Sequence, residues 1–318
     1  MVQTNVNQSK KVGYFKQQRK NFKKNKGIMV FLIPAILLTF LFGYIPMTGV
    51  LFAFKEKITA TNWLYDFLTQ PFTTKHIIVV FKDVEVLTAL KNTLIISFSK
   101  IIIFFPLTII LAILLSEIKK PAISKLLLII LCLPNFLSWP VTVGIWNNLL
   151  SLDNGLINNL IANLGGKRIY FFQDHFKALV VFLSIWKGLG WGSIYFYAAI
   201  MSIDKEYYEA ATIDGASKFQ QIRYLTIPGI LPVIALQLVM NITYILDAGF
   251  DQVYAMLNLV KSITYDEQII GTYIFNMTMS NSNIPFTVAM SVVQGLFALF
   301  LMLGGNTLVK KKLGRSLW

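Results

Sequence analysis

The sequence predicts an all-α, polytopic membrane protein with six transmembrane helices, and three observations lead to this class. Of the 318 residues, 55% are hydrophobic and only 14% are charged, whereas soluble domains have about 25% charged residues. Apolar runs of about 20 residues, enough to cross a bilayer, recur from Ile28 to near the C-terminus. These runs are continuous and lack the alternating segments of about ten residues that form outer-membrane barrels.

The predicted spans divide the chain into three parts. A basic segment, 1–27, is followed by a first helix with its outer loop, 28–89, and then by a core of five helices, 90–315. Within this core, a polar loop at 203–223 connects two spans. Each span closes its backbone hydrogen bonds internally, as the hydrocarbon interior requires. The six predicted spans are 28–54, 90–116, 122–148, 176–202, 224–247 and 284–309.

The basic residues predict that both termini face the cytosol. Residues 1–27 carry eight Lys or Arg and no acid, which favours an uncleaved cytosolic anchor on anionic lipid over a nucleic-acid-binding arm. The segment is too long and too basic for the n-region of a signal peptide. With this start, the cytosolic connections hold 18 Lys or Arg and the longer outer ones hold 7, in agreement with the positive-inside rule.

Metal and disulfide chemistry is not expected. The single cysteine, Cys132, lies in an apolar run, so no disulfide can form within the chain. The two histidines, His76 and His175, have no partner at metal-ligand spacing. We therefore expect neither a metal site nor a resident cofactor in this chain.

Residues 209–221 read EAATIDGASKFQQ, a charged stretch with small residues between two apolar spans. Asp204 is a predicted N-cap of a short helix, and Gly215 is placed to end that helix in a left-handed conformation. Ser217 and Gln220 match the capping box of a second short helix.

Pro228 is then expected to start the next span. The chain offers this loop no soluble domain to pack on, and its small residues allow another surface to approach. We therefore expect a second polypeptide as its partner.

The stretch EAATIDGASKFQQIRYLTIP resembles the EAA loop of permease subunits of binding-protein-dependent ABC importers. The family pattern is Glu-Ala-Ala, three residues, Gly, nine residues, then Ile-x-Leu-Pro. The chain matches it at Glu209, Ala210, Ala211 and Gly215, and ends in Leu225-Thr226-Ile227-Pro228, a conservative departure. The resemblance covers roughly 90–315, and WKGLGWGSIYFYAAIMSID upstream is similar to carbohydrate-type permeases. GYIPMTGVLFAFK and FDQVY are similar to the subgroup that imports complex sugars or oligosaccharides.

The resemblance implies the type I ABC importer permease fold, in which this chain forms half of a sugar pathway in a bacterial cell membrane. The implied partners are a second related permease subunit, two copies of an ABC ATPase subunit, and an extracellular substrate-binding protein. The chain contains no G-x-x-x-x-G-K-[ST] motif, so ATP and Mg are expected on the ATPase subunits and no catalysis is expected here. The implied ATPase-coupling residues are Glu209, Ala210, Ala211, Asp214, Gly215, Ala216, Phe219 and Pro228.

Candidate pathway residues follow from sugar chemistry, since sugars stack on aromatic rings and bond to amides and carboxylates. An interfacial belt remains the alternative for each Trp and Tyr. Asp247 is the leading candidate, because it shares a face with Tyr244 and Asp251 if the helix continues. Lys100 and Lys187 lie near the middle of spans, where a charge usually faces a wet cavity or the bundle interior. The candidates are Trp146, Asn147, Trp186, Lys187, Trp191, Tyr195, Asn241, Tyr244, Asp247, Asp251 and Gln252.

Two features of the outer half complete the predictions. The glycines Gly188, Gly190 and Gly192 favour close helix packing over local unwinding. The stretch DNGLINNLIANLGG, 153–166, is helix-like and ends in a glycine pair. The outer segments would dock a binding protein, cap the bundle, or do both.

Two rival classes remain open at this point. An ion-coupled secondary transporter or channel needs a relay of intramembrane carboxylates, and the span interiors hold almost none. A membrane enzyme acting on polysaccharide needs paired acids, and the outer acids follow no recognisable motif.

Overall fold

The computed structural model describes residues 26–259, 267–280 and 283–313. Most of the basic segment 1–27 lies outside these residues, so its role stays a prediction. Within them the chain is almost entirely helical, with one isolated antiparallel bridge between Lys55 and Phe72. The helices are α1 (Phe31–Phe54, continuing a helix that begins at Lys26), α2 (Trp63–Thr69), α3 (Lys75–Val80), α4 (Val84–Ser116), α5 (Pro121–Phe136), α6 (Trp139–Leu150), α7 (Leu156–Asn163), α8 (Phe171–Asp174), α9 (Phe176–Met201), α10 (Lys205–Ile213), α11 (Lys218–Thr243), α12 (Phe250–Leu259), α13 (Ile270–Met279) and α14 (Ile284–Leu313).

Five of the described helices, α1, α4, α9, α11 and α14, are long and apolar enough to cross a membrane. The sixth candidate span is the pair α5 and α6, which is bent by 96° at the break between them. The predicted class is confirmed, but the single helix predicted over 122–148 is wrong. Pro134 lies in the tight last turn of α5 and Pro140 in the first turn of α6, and proline cannot continue a helix through such positions.

The second span also begins earlier than predicted, at Val84 rather than near residue 90. Asp83 causes this start, because its carboxylate accepts hydrogen bonds from the backbone N–H groups of Glu85 at 2.9 Å and Val86 at 3.1 Å. These bonds satisfy donors that the first turn of a helix leaves free.

Three spans contain a π-helical turn that ends two residues before a proline. Proline has no N–H, and its ring collides with the carbonyl four residues earlier. A turn widened by one residue removes this collision and lets the helix continue. The turns are Phe40–Tyr44 before Pro46, Lys100–Phe104 before Pro106, and Ile222–Thr226 before Pro228.

The last of these turns corrects the predicted role of Pro228. The helix that starts at Lys218 runs through Pro228 without a break. The second short helix predicted after Gly215 is therefore the first part of the span α11.

The central helix is α9, which packs against α4, α5 and α11. Its glycines allow this packing: a Cβ built on Gly190 lies 2.3 Å from the backbone carbonyl of Leu131 in α5, and one on Gly192 lies 2.8 Å from Thr108 in α4. Since α9 stays helical throughout, the prediction of close packing rather than unwinding is confirmed.

The two ends of the bundle carry different connections. The helix α10 follows the end of α9, and we call this end the loop end; α7 and α8 precede α9 and lie at the opposite end. There, Gly165 has φ +81°, and the N–H of Gly166 bonds to the carbonyl of Ile161 at 2.9 Å. The predicted helix ending in a glycine pair is confirmed.

Candidate functional site

The loop between α9 and α11 is a helical hairpin with defined caps. Asp204 accepts a hydrogen bond from the N–H of Glu206 at 3.1 Å, which confirms the predicted N-cap of α10. Gly215 has φ +77°. The N–H of Ala216 bonds to the carbonyl of Ala211 at 2.8 Å, and that of Gly215 bonds to Thr212 at 3.1 Å. This is the Schellman arrangement that a left-handed glycine permits.

The predicted capping box begins the next helix. The N–H of Ser217 donates to Gln220 Oε1 at 2.7 Å, and the N–H of Gln220 donates to Ser217 Oγ at 3.4 Å. The turn between α10 and α11 is therefore closed on both sides by local hydrogen bonds, which fix its shape.

Side chains that the sequence did not single out hold α10 against α11. Gln221 is buried, and its Nε2 donates to Thr212 Oγ1 at 2.9 Å. The hydroxyls of Tyr208 and Thr226 lie 3.0 Å apart. No helical period joins positions on either side of the turn, so only the fold reveals these pairs.

An ion pair ties this hairpin to the end of α4: Lys218 Nζ lies 3.0 Å from Glu117 Oε2. The hairpin therefore contacts the end of α4 and continues directly into α11.

The outer surface of the hairpin combines apolar side chains with a hollow. Phe219 is 70% exposed and Ile213, which the sequence did not single out, is 86% exposed. A hollow of about 300 Å³ lies against the Gly215 turn and is lined by Ala211, Asp214, Gly215 and Ala216 among others. Glu209, Ala210, Asp214 and Pro228 are exposed, and Ala211 and Ala216 are half-buried. Exposed apolar groups around a concave surface are typical of a docking site.

Two of the pathway candidates lie in an aromatic cluster. The ring centroid of Trp146 lies 5.6 Å from that of Trp186 and 4.9 Å from that of Phe182, both nearly perpendicular. Trp146 Nε1 is buried and has no hydrogen-bond partner within the described residues. The neighbouring Asn147 is half-buried.

Lys187 lies at the break between α5 and α6. Its Nζ donates to the carbonyl of Asn135 at 2.7 Å and lies 5.2 Å from the ring centroid of Trp139. The side chain is buried, so its contacts are with the end of α5 and the start of α6.

Three further candidates lie on α9 and α11. Trp191 and Tyr195, one turn apart on α9, are 43% and 50% exposed. Trp191 packs edge-on against Phe136. Asn241 is half-buried, and its amide donates to the carbonyl of Gln237 in its own helix at 2.8 Å.

The expected helical face of Tyr244, Asp247 and Asp251 is wrong. The helix α11 ends at Thr243, and Ala248 and Gly249 adopt left-handed conformations with φ +49° and +84°. Asp251 therefore belongs to a different helix, α12. Tyr244 and Asp247 are exposed on the break itself, whereas the candidate Gln252 is fully buried.

The comparisons with known proteins agree with this architecture. Residues 104–311 match the family of binding-protein-dependent transport system inner membrane components. The chain belongs to this family.

Among its curated relatives, this permease is 33% identical to protein LplB of Bacillus subtilis over 91% of this chain and 90% of that one. It is 32% identical to the polygalacturonan/rhamnogalacturonan transport system permease protein YteP of the same organism, over 91% and 89%. A solved chain of a bacterial ABC transporter that imports the acidic polysaccharide alginate matches with a TM-score of 0.83 and 29% identity, covering 93% of this chain and 99% of that one.

These matches confirm the predicted class. The chain is a carbohydrate-type permease subunit of a binding-protein-dependent ABC importer, with the fold of such permeases. It is a multi-pass membrane protein of bacterial type, and its family transports rather than catalyses.

Proposed function

We propose that this permease forms half of an oligosaccharide pathway and couples it to ATP hydrolysis through the hairpin at 203–223. The observation that carries the proposal is the capped Gly215 turn, whose exposed surface holds Phe219 and a hollow of about 300 Å³. A separate ATPase subunit seats on this surface. It carries the ATP and Mg, since this chain has no P-loop.

Force on the hairpin reaches the membrane through covalent continuity and one ion pair. The helix α11 is continuous from Lys218 to Thr243, so a push at its first turn is passed along the span. The pair between Lys218 and Glu117 passes the same push to α4. Closure of two ATPase subunits would thereby rock the spans and open the pathway outward.

The remaining parts of the proposal follow from the relatives and from charge. A second, related permease completes the pathway, and an extracellular binding protein delivers the sugar. A solved structure with a similar fold is a bacterial alginate ABC transporter in complex with an alginate pentasaccharide-bound periplasmic protein. The loop end and both termini face the cytosol, as the distribution of basic residues favours. The cargo is an oligosaccharide, by analogy with that transporter and with YteP.

Two glycines make a matched test of coupling. Gly215 and Gly165 have φ +77° and +81°, and a Cβ on either meets nothing within 4 Å. Both end helices in the same way, but at opposite ends of the bundle. Valine at either position imposes the same left-handed strain, because a β-branched residue avoids this conformation.

The experiment purifies the complex from the native host and measures the bound ATPase subunit and ATP hydrolysis. Gly215→Val should lose most of the ATPase subunit, whereas Gly165→Val should retain it. A Gly215→Val complex that keeps its ATPase subunit and wild-type hydrolysis would refute coupling through this turn. Transport by the chain alone in liposomes without ATP would instead favour an ion-coupled carrier.

A further inference from the structure

The break between α11 and α12, residues 244–249, lies at the depth of the span interiors. Lys100, near the middle of the 33-residue helix α4, contacts it, and so does Gln294 of α14. Non-helical backbone at membrane depth occurs only where it is buried in protein or lines a water-filled cavity. The groups around residues 244–249 therefore decide whether this segment is buried in protein or lines a cavity.

On its inner side, the break is held by side chains of two spans. A helix that stops leaves carbonyls without partners, and each unpaired carbonyl in an apolar interior costs several kcal/mol. Here three carbonyls of the break itself accept side-chain hydrogen bonds. Ser97 Oγ donates to Ile245, Gln294 Nε2 to Leu246 at 3.1 Å, and Lys100 Nζ to Ala248 at 2.9 Å.

Lys100 also joins the break to α12 and α9. Its Nζ donates to Gln252 Oε1 at 3.1 Å, and this oxygen also accepts a bond from Ser184 at 2.7 Å. Gln252 Nε2 donates to the carbonyl of Val180 at 2.6 Å. A Cβ on Gly249 would lie 2.7 Å from Lys100 Nζ, so glycine lets the ammonium group approach.

The outward side of the same segment is polar. Ile245, Leu246 and Ala248 are buried, whereas Tyr244 is 63% exposed and Asp247 is exposed. A carboxylate facing lipid at this depth is costly. An exposed aromatic ring beside a carboxylate is, in contrast, the pair of groups that binds a sugar through its apolar face and its hydroxyls.

We propose that Lys100 is a positioning residue for transport: with Ser97 and Gln294 it fixes the break so that Tyr244 and Asp247 form a sugar-contacting wall of an aqueous pathway. This inference rests on the proposed function, because the second permease closes the pathway opposite this wall. Lys100 does not contact the sugar. It acts through the carbonyl of Ala248 and through Gln252.

The test uses cysteine labelling in the assembled complex in membrane vesicles. Cys132 is the only cysteine of this chain, so Cys132→Ser leaves it without a native thiol, and labelling is read on this chain after its separation from the other subunits. Tyr244→Cys and Asp247→Cys should react with a charged, membrane-impermeant methanethiosulfonate. Ile102 is an apolar side chain of α4 that is 68% exposed, as expected of a position against lipid, and Ile102→Cys should react at least about tenfold more slowly.

Positioning is tested by adding Lys100→Met to Asp247→Cys. The labelling rate should fall about tenfold, since the side chain at 247 leaves its exposed position when the wall shifts. Lys100→Arg should restore most of the rate, and Lys91→Met, an exposed lysine on the same helix, should leave it unchanged. If Lys100→Met prevents assembly, Ser97→Ala and Gln294→Leu, which each remove one bond to the break, should lower the rate severalfold.

Two results of the labelling experiment would contradict the proposal. Unchanged labelling at 247 in Lys100→Met, or in both substitute variants, would refute the positioning role. Labelling at 244 and 247 as slow as at 102 would show that the segment faces lipid or protein. Labelling needs no ATP. The labelling rates therefore test the role of Lys100 even if the experiment at Gly215 disproves coupling.

Discussion

Replacement of Gly190 by alanine should separate two helices of the bundle. A Cβ on Gly190 would lie 2.3 Å from the carbonyl carbon and oxygen of Leu131 and 2.7 Å from the nitrogen of Cys132. These are backbone atoms of α5 and cannot rotate away. To reach 3.4 Å, the shortest ordinary contact, α5 must retreat by about 1.1 Å. Overpacking of this kind costs about 1–3 kcal/mol, and the rigidity of the backbone places this case at the upper end.

Gly295→Ala is the matched control. Gly295 is exposed within α14, and a Cβ there meets nothing within 4 Å. In a helix with open space, alanine stabilises by about 0.5–1 kcal/mol relative to glycine. The two substitutions are chemically identical but should change stability in opposite directions.

The assay follows thermal unfolding of the purified complex by the fraction that remains monodisperse in detergent. Gly190→Ala should lower the midpoint by about 5 °C or more, at about 2–4 °C per kcal/mol, and Gly295→Ala should keep or raise it. Equal midpoints for the two variants would show that α5 is not in contact with α9 at Gly190, and the packing described for the central helix would be wrong.

Two more predictions concern buried polar contacts. Asn158 is fully buried, donates to the carbonyls of Leu150 and Ile169, and accepts from the N–H of Ile169 at 2.8 Å. Asn158→Ala should cost about 2–4 kcal/mol and loosen the backbone around the exposed Lys167 so that trypsin cleaves there, whereas Asn163→Ala, at an exposed position, should remain resistant. Lys187→Met leaves the carbonyl of Asn135 unpaired and should lower thermal stability by about 1–3 kcal/mol, while Lys91→Met, at an exposed lysine of α4, should not. Lost sugar transport at unchanged stability would instead place Lys187 on the substrate.

Local features of the hairpin between α9 and α11 could be predicted because they depend on neighbouring residues alone. The cap at Asp204, the left-handed Gly215 and the box of Ser217 and Gln220 each follow from a few adjacent positions. The spans were predictable for a related reason, since the bilayer demands long apolar helices whatever the fold.

Breaks in helices divide into those with a local signal and those without. The break between α5 and α6 has Pro134 and Pro140 beside it, and each π-helical turn precedes a proline. These deviations from a regular helix could therefore be predicted from the positions of the prolines. The break after Thr243 has no proline. Its left-handed Ala248 is held by Lys100 and Gln252, a pair 152 positions apart in the chain, and nothing local predicts such a contact.

The two intramembrane lysines illustrate how the broken helices of this permease are stabilised. Sequence alone left open whether each serves the pathway or the scaffold. In the structure both ammonium groups donate to carbonyls at helix breaks, Lys187 to Asn135 at the end of α5 and Lys100 to Ala248 after the end of α11. At Asn135 the lysine meets the carbonyl end of α5, which carries partial negative charge, so the cation supplies both a missing hydrogen bond and a favourable dipole interaction. Ala248 lies between the end of α11 at Thr243 and the start of α12 at Phe250, so Lys100 supplies a hydrogen bond to the irregular backbone itself. A lysine can thus make an irregular segment stable at membrane depth, and in our proposal the other side of the segment at 244–249 meets the sugar.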